Sequence, residues 1–275
     1  MARAGNLTYG AAYAGQNGFA TMGRIGIAAK GVVYVLVGVL ALMAAFGQGG
    51  DTTGSKGALT SLVDEPFGEV ALVLIGVGLL AYSLWRMVGA FRDTENEGSH
   101  AKGFAKRAAA FVIGLIYGSL GLYALGLAFG NGGGQGGGGG AEQTQTWTAR
   151  LLEAPFGMLL VVLIGLGVIV AGIAQMVKGW KEKFREDLDR MPGRHEWVIG
   201  LGKAGYIARG IVLGIIGLFV VQAALRHDPS NVRGMEGALD TLAAQPFGQL
   251  LLGVVAAGLA CYGAYSIVEA RFRAF

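Results

Sequence analysis

Six stretches of this chain are nearly free of charge, and each is long enough to cross a bilayer as a helix. A hydrocarbon core of about 30 Å takes roughly 20 apolar residues in helical form. The stretches run from Ile25 to Phe46, Phe67 to Trp85, Ala108 to Phe129, Phe156 to Val177, Ala204 to Leu225 and Phe247 to Val268. Lys30, Glu69 and Arg209 each lie near the start of one stretch, and the third, fourth and sixth are uncharged. These blocks are too long for strands and too uniformly apolar for the amphipathic helices of a soluble core. Only 15% of the 275 residues are charged, against about 25% in soluble domains. The 50 glycines fit the same reading, because small residues let membrane helices approach closely. The expected fold is all-α and integral to the membrane, with six transmembrane helices.

Residues 1–22 lack the compact apolar run of a signal peptide, so they read as an N-terminal cytoplasmic segment and the first block as a retained span. Lys and Arg favour the cytoplasmic side of short loops. Eighteen of the 22 fall on the side holding both termini and the loops after the second and fourth spans. Only Lys56, Arg150, Arg226 and Arg233 fall on the other. Both termini are therefore expected in the cytoplasm, with the chain multi-pass in the membrane. The net charge of +4 is accounted for by anionic headgroups at the inner leaflet, and no nucleic-acid partner is expected.

The chain repeats itself. Pro66-Phe67-Gly68, Pro155-Phe156-Gly157 and Pro246-Phe247-Gly248 stand 89 and 91 residues apart. Gly57-Ala58-Leu59 matches Gly237-Ala238-Leu239 at the same distance upstream of the Pro, and Ala29-Lys30-Gly31 matches Ala208-Arg209-Gly210. In the middle copy Tyr117 and Gly121 match Tyr34 and Gly38, and Ile113 stands where the outer copies have Lys30 and Arg209. The copies are repeat 1 (23–92), repeat 2 (104–180, with a Gly-rich external loop at 130–140) and repeat 3 (202–273), with a cytoplasmic linker at 181–201 before the third. Two spans per copy keep the copies parallel, and pseudo-threefold packing of three hairpins is the simplest arrangement. Pro suits the first helical position and marks where each even span re-enters the membrane. Before it, Leu59, Leu62 and Val63, and Leu239, Leu242 and Ala243, have the spacing of a short amphipathic helix on the outer surface; a plain loop is the alternative. Gly114/Gly118 and Gly210/Gly214 have G-x-x-x-G spacing for close helix contact.

The Arg-x-Gly…Lys-Gly opening at residues 24–31, the Gly-Ala-Leu segment and the Pro-Phe-Gly resemble the bacterial membrane family catalogued as domain of unknown function number 1206. The resemblance covers roughly residues 23 to 273. It implies three such modules in tandem and brings no activity, substrate or catalytic residue.

Chemistry is sparse. His100, His195 and His227 all fall in loops without metal-ligand spacing, and the lone Cys261 sits in an apolar block, where it reads as a small buried hydrophobe. No metal, cofactor or catalytic residue is expected. The glycine tract 132–140 lacks the Lys and Ser/Thr of a phosphate loop and reads as a flexible linker. Ionisable groups at membrane depth are the default functional candidates: Lys30, Arg209, Arg86 and Glu269, with Tyr34 and Tyr262 as cavity-lining aromatics. Either the long basic stems snorkel to the headgroups, or Lys30 and Arg209 meet a lipid phosphate or Glu269. Trp85 reads as an interfacial belt residue, and Phe184 and Leu188 as the apolar face of an interfacial helix. The expected function is non-enzymatic: a scaffold or accessory subunit, or a lipid-binding protein, with membrane lipids and a membrane protein complex as partners. A small-solute or ion transporter or channel is the alternative, and a membrane enzyme acting on lipid ranks last.

Overall fold

A computed structural model of the chain describes residues 2–50, 52–92, 100–130, 140–188 and 196–273. Six long helices carry the apolar blocks: α1 (Ala2–Ala45), α3 (Gly68–Arg92), α4 (Ala101–Ala128), α6 (Gly157–Trp180), α7 (Glu196–Arg226) and α9 (Gly248–Phe272). Three shorter helices, α2 (Ser55–Thr60), α5 (Gly140–Glu153) and α8 (Met235–Ala243), precede the three Pro-Phe-Gly turns. The chain is thus a six-helix membrane protein. Its spans outrun the apolar blocks by up to eight residues at the end that holds the termini, because flanking Arg, Lys and Glu continue the helix into the polar layer. The segment before the first span is itself helical and continuous with it. The glycine linker at 131–139 and residues 189–195 of the cytoplasmic linker, His195 among them, lie outside the described residues.

The Pro-Phe-Gly turn differs from the expected Pro-initiated helix. Each even span starts at the glycine, two residues after the proline, and the phenylalanine between them adopts a left-handed backbone, with φ of 64°, 62° and 62° at Phe67, Phe156 and Phe247. That conformation reverses the chain after the short helix. It seats the glycine so close that a Cβ on Gly68, Gly157 or Gly248 would overlap the carbonyl oxygen of Leu62, Leu151 or Ala243. The three phenylalanine rings stay 84–86% exposed, at the depth where aromatic rings anchor membrane proteins.

A short helix precedes the turn in copies 1 and 3, as expected, and also in copy 2, but α2 and α8 do not lie on the surface. They plug the hairpin end of the bundle with Ala58, Leu59, Ala238 and Leu239, all fully buried. Polar bonds join the caps in a ring. Thr60 Oγ1 and the Tyr123 hydroxyl lie 2.9 Å apart, Gln145 Nε2 donates to the Val232 carbonyl at 3.1 Å, and Thr52 Oγ1 donates to Asp240. The loop after α7 is fixed by Asp228, whose carboxylate accepts from Ser230 Oγ at 2.7 Å, Ser230 N at 3.0 Å and Asn231 Nδ2 at 2.8 Å. Those bonds, the Ser230 hydroxyl first, hold its pKa below the usual carboxylate value. A depressed pKa contributes stability that is complete above the ordinary Asp value and lost as pH falls through the lowered one. The Asp228 carboxyl should therefore titrate below an ordinary Asp in a carbon-13 NMR titration, and Ser230→Ala should raise its midpoint. A midpoint at the ordinary value would contradict this capping role.

Copies meet through one recurring contact. The even helix of each copy packs on the odd helix of the next: α3 on α4, α6 on α7, and α9 back on α1. Gly31, Gly114 and Gly210 occupy equivalent positions and approach the carbonyls of Gly263, Ser83 and Gly172. Two turns further on, Gly38, Gly121 and Gly217 approach those of Ala256, Gly76 and Gly165. A Cβ at any of these six would stand within 2.6–3.2 Å of a backbone oxygen. The operative spacing is therefore seven residues rather than the four of G-x-x-x-G. Gly118 meets the Ser83 side chain, and at Gly214 a Cβ would point into open space.

Within a copy, two hairpins close and one does not. In copies 1 and 3, Gly26 and Gly205 let α1 and α7 rest on the backbone of Tyr82 and Tyr262, while Ala29 and Ala208 press against Gly78 and Gly258. In copy 2 the equivalent positions are Ala109 and Val112, and nothing lies within 4 Å of a Cβ built on Gly167, the counterpart of Gly78 and Gly258. Helices α4 and α6 consequently fail to pack along each other. The pseudo-threefold ring is open through the middle copy.

Candidate functional site

Two cations meet near the pseudo-threefold axis. Lys30 on α1 is 6% exposed. It lies roughly 18 Å from one end of its span and 22 Å from the other at 1.5 Å per residue. Its Nζ donates to the Tyr262 hydroxyl at 3.2 Å and sits 5.4 Å and 5.2 Å from the Tyr82 and Tyr262 ring centres. Arg209 on α7 donates from Nη1 to the same Tyr262 hydroxyl at 2.8 Å and from Nε to the Tyr34 hydroxyl at 3.2 Å. Its guanidinium lies 4.9 Å from the Tyr262 ring centre and 5.6 Å from that of Tyr34. Tyr34 and Tyr262 meet edge-on at 4.9 Å, as do Tyr82 and Tyr117 at 5.0 Å.

The repeat produces this cluster. Lys30 and Arg209 are the same position of copies 1 and 3; Tyr82 and Tyr262 are the same position of their even helices; Tyr34 and Tyr117 match in copies 1 and 2. The parallel copies project these positions toward one axis, so a cation of one copy lands on a tyrosine of another. Negative ring faces attract cations in a desolvated setting by about 2 kcal/mol or more. Snorkelling is thereby replaced: both stems end on tyrosines.

The cations are incompletely satisfied. Lysine has three donors and arginine five. Lys30 uses one and Arg209 two, and among the described residues neither forms an ion pair. The expected partner Glu269 is buried, but its carboxylate accepts from Arg273 Nη1 at 2.6 Å. Tyr262, accepting from both cations, has no lone pair to spare.

The remaining candidates are structural. Arg86 does not enter the central cluster; its guanidinium lies 5.4 Å from the Trp85 ring centre, and that of Arg273 lies 5.3 Å from it. Trp85 is buried against Phe19 and Tyr82 rather than placed in a lipid-facing belt. Phe184 and Leu188 are not a membrane-facing stripe either. They lie on a 3-10 turn, Lys183–Leu188, and are both buried, with Phe184 stacked on Tyr206 and edge-on to Tyr265. Tyr265 donates to the Phe184 carbonyl at 3.2 Å, tying the loop back onto the bundle. Cys261 is only partly buried. Among the described residues, no group of three His, Cys, Asp or Glu could hold a metal ion. Tyr82 and Tyr117 complete the site; aligning the copies by their Pro-Phe-Gly turns brings out the first, and the Tyr34 match the second.

A family model described as a domain of unknown function, DUF1206, matches the chain three times, at 25–93, 108–182 and 204–273. The chain belongs to this family. Among curated proteins, "Uncharacterized protein YxxB" of Bacillus subtilis (strain 168) is 39% identical over 254 residues, covering 91% of this chain and 90% of its own. No solved structure matches. The three matched segments coincide with the three parallel hairpins, so the DUF1206 unit is one odd and one even span with the Pro-Phe-Gly turn between them.

Proposed function

We propose that this DUF1206 chain is a non-enzymatic bacterial inner-membrane protein that binds the acidic headgroup of a membrane amphiphile between Lys30 and Arg209. The observation that carries this reading is the pair of buried cations with five N–H donors left over and no carboxylate partner among the described residues. Two positive charges held together at membrane depth are costly, and the buried Glu269 carboxylate is bonded to Arg273 rather than to either of them. A phosphate or carboxylate would take up the remaining donors in charge-assisted bonds. The tyrosines orient the two cations and offer neither a nucleophile–base pair nor a paired acid and base, so binding rather than turnover is the function they support. The basic end of the bundle faces the cytoplasm in this reading, where anionic headgroups are plentiful.

The test is native mass spectrometry of the full chain in detergent, titrated with phosphatidic acid and with phosphatidylcholine. Wild type should retain phosphatidic acid preferentially. Lys30→Met and Arg209→Met should each cost about 1.5–3 kcal/mol of that binding, which is roughly 10- to 150-fold. Equal retention of both lipids by wild type, or unchanged retention in both folded variants, would overturn the reading.

A further inference from the structure

We infer that the open middle copy is a lateral portal through which the apolar tail of that amphiphile runs from the lipid to the two cations. The inference rests on the headgroup site above and adds the route and the class of ligand: an acid carrying a long hydrocarbon chain.

The central ring has three sectors, and the third is built differently. Copies 1 and 3 contribute a cation and a tyrosine each: Lys30 with Tyr82, and Arg209 with Tyr262. Copy 2 contributes Ile113 and Ala171 at the same two positions. A charged group has become a branched alkyl group, and a phenol has become a methyl. The sector keeps the buried phenol of Tyr117 but has lost a cation and the volume of one aromatic ring.

The wall of that sector is also open. Where Gly26 and Gly205 let the outer hairpins close, copy 2 has the exposed Ala109, and Val112 replaces the small Ala29 and Ala208. Val112 is 52% exposed, and Ile116 and Ile164, whose counterparts Val33 and Ile75 are buried in copy 1, are 58% and 47% exposed. Gly167 and Ala171 continue the exposed face of α6. All lie within the spans, so only lipid or another transmembrane segment can cover them.

Charge decides between those occupants. The uncharged stretches of α4 and α6, 108–129 and 156–177, would be what a second copy brought through the same face, and they contain no anion for Lys30 or Arg209. A single amphiphile satisfies both features at once, with its acid on the cations and its chain along Ile113, Val112, Ala171 and Gly167.

The probe is phosphatidic acid carrying a diazirine midway along one acyl chain, photolysed with the full chain in nanodiscs. Phosphatidylcholine with the same chains is the control. Label should fall on 109–116 of α4 and 164–171 of α6, about tenfold above the control, and Lys30→Met/Arg209→Met should remove it. Gly167→Phe adds a ring at a position where a Cβ has nothing within 4 Å, and should cut both the label and phosphatidic acid retention by about tenfold. If phosphatidic acid is retained through Lys30 and Arg209 but labels elsewhere, or if Gly167→Phe changes nothing, the headgroup site stands and the portal fails. Equal labelling by both lipids, insensitive to the two cations, would mean boundary lipid only and would overturn the portal. So would a stable dimer that Gly167→Phe dissociates, because the face would then belong to a second copy. Loss of the headgroup reading shows separately, as unchanged phosphatidic acid retention in the double variant.

Discussion

Gly248→Ala is expected to remove most folded protein from the membrane, although it adds one methyl group. The added Cβ would overlap the Ala243 carbonyl oxygen and crowd that of Leu242. Both atoms belong to the end of α8, which is fixed because Ala238 and Leu239 are fully buried beneath it. Nor can the turn relax through its neighbour, since Phe247 already occupies the left-handed region at φ 62°, a conformation that costs a non-glycine residue about 1–2 kcal/mol. The helix start would have to unwind. A change of that kind belongs with the large destabilisations of about 4 kcal/mol or more, which for a chain of this size corresponds to a fall of roughly 10 °C in melting temperature. Thermal unfolding in detergent, followed by size-exclusion recovery, would measure it. A midpoint within about 2 °C of wild type would show that the turn is softer than its geometry implies. Phe247→Gly makes the converse case. It should relieve the backbone strain in detergent while removing an interfacial ring.

The second large effect is a contrast between two glycines at membrane depth. Gly263→Val places a branched side chain where a Cβ would stand 2.5 Å from the Gly31 carbonyl oxygen and 2.6 Å from the Val35 amide nitrogen. Both obstacles are main chain of α1, so the helices must separate. The α1–α9 contact joins the first and last spans, and its loss would open the ring at a second place. Close backbone approach is what holds membrane helices together where lipid supplies no hydrophobic drive. The expected cost is about 3 kcal/mol or more. Gly167→Val is expected to change the melting temperature by less than about 2 °C, because nothing lies within 4 Å of that position. Measured in one detergent, the two should differ clearly. Similar losses would mean that α6 is covered by something besides lipid.

Much of the architecture could be read from hydropathy, because a span is a statement about length and polarity alone. The six blocks, the parallel copies and the divergence of the middle one all follow from residues a fixed distance apart. Helix ends were less legible. The Pro-Phe-Gly turn has the composition of a proline-initiated helix, and only the left-handed phenylalanine moves the first helical residue to the glycine. Trp85, Phe184 and Leu188 illustrate the other limit. Their type and spacing suit a membrane interface, yet they are covered by neighbours that come from distant parts of the chain. Lys30 and Arg209 are visible as candidates because charge at membrane depth is costly, and Tyr34 and Tyr262 as aromatics placed to line a cavity. Their mutual arrangement was not visible, since it depends on how far each helix is rotated about its own axis.

The sequence by itself determined the number of spans, their pairing into three copies and the loss of a cation and a tyrosine from the middle copy. Those are properties of each segment's own polarity against the bilayer. Only the tertiary structure decided that the cation of one copy rests on the tyrosine of another, and that the middle hairpin stands open. Both depend on how closely two backbones can approach: a glycine at 26 or 205 admits the neighbouring helix, and copy 2 has an exposed alanine at 109 and a valine at 112 instead.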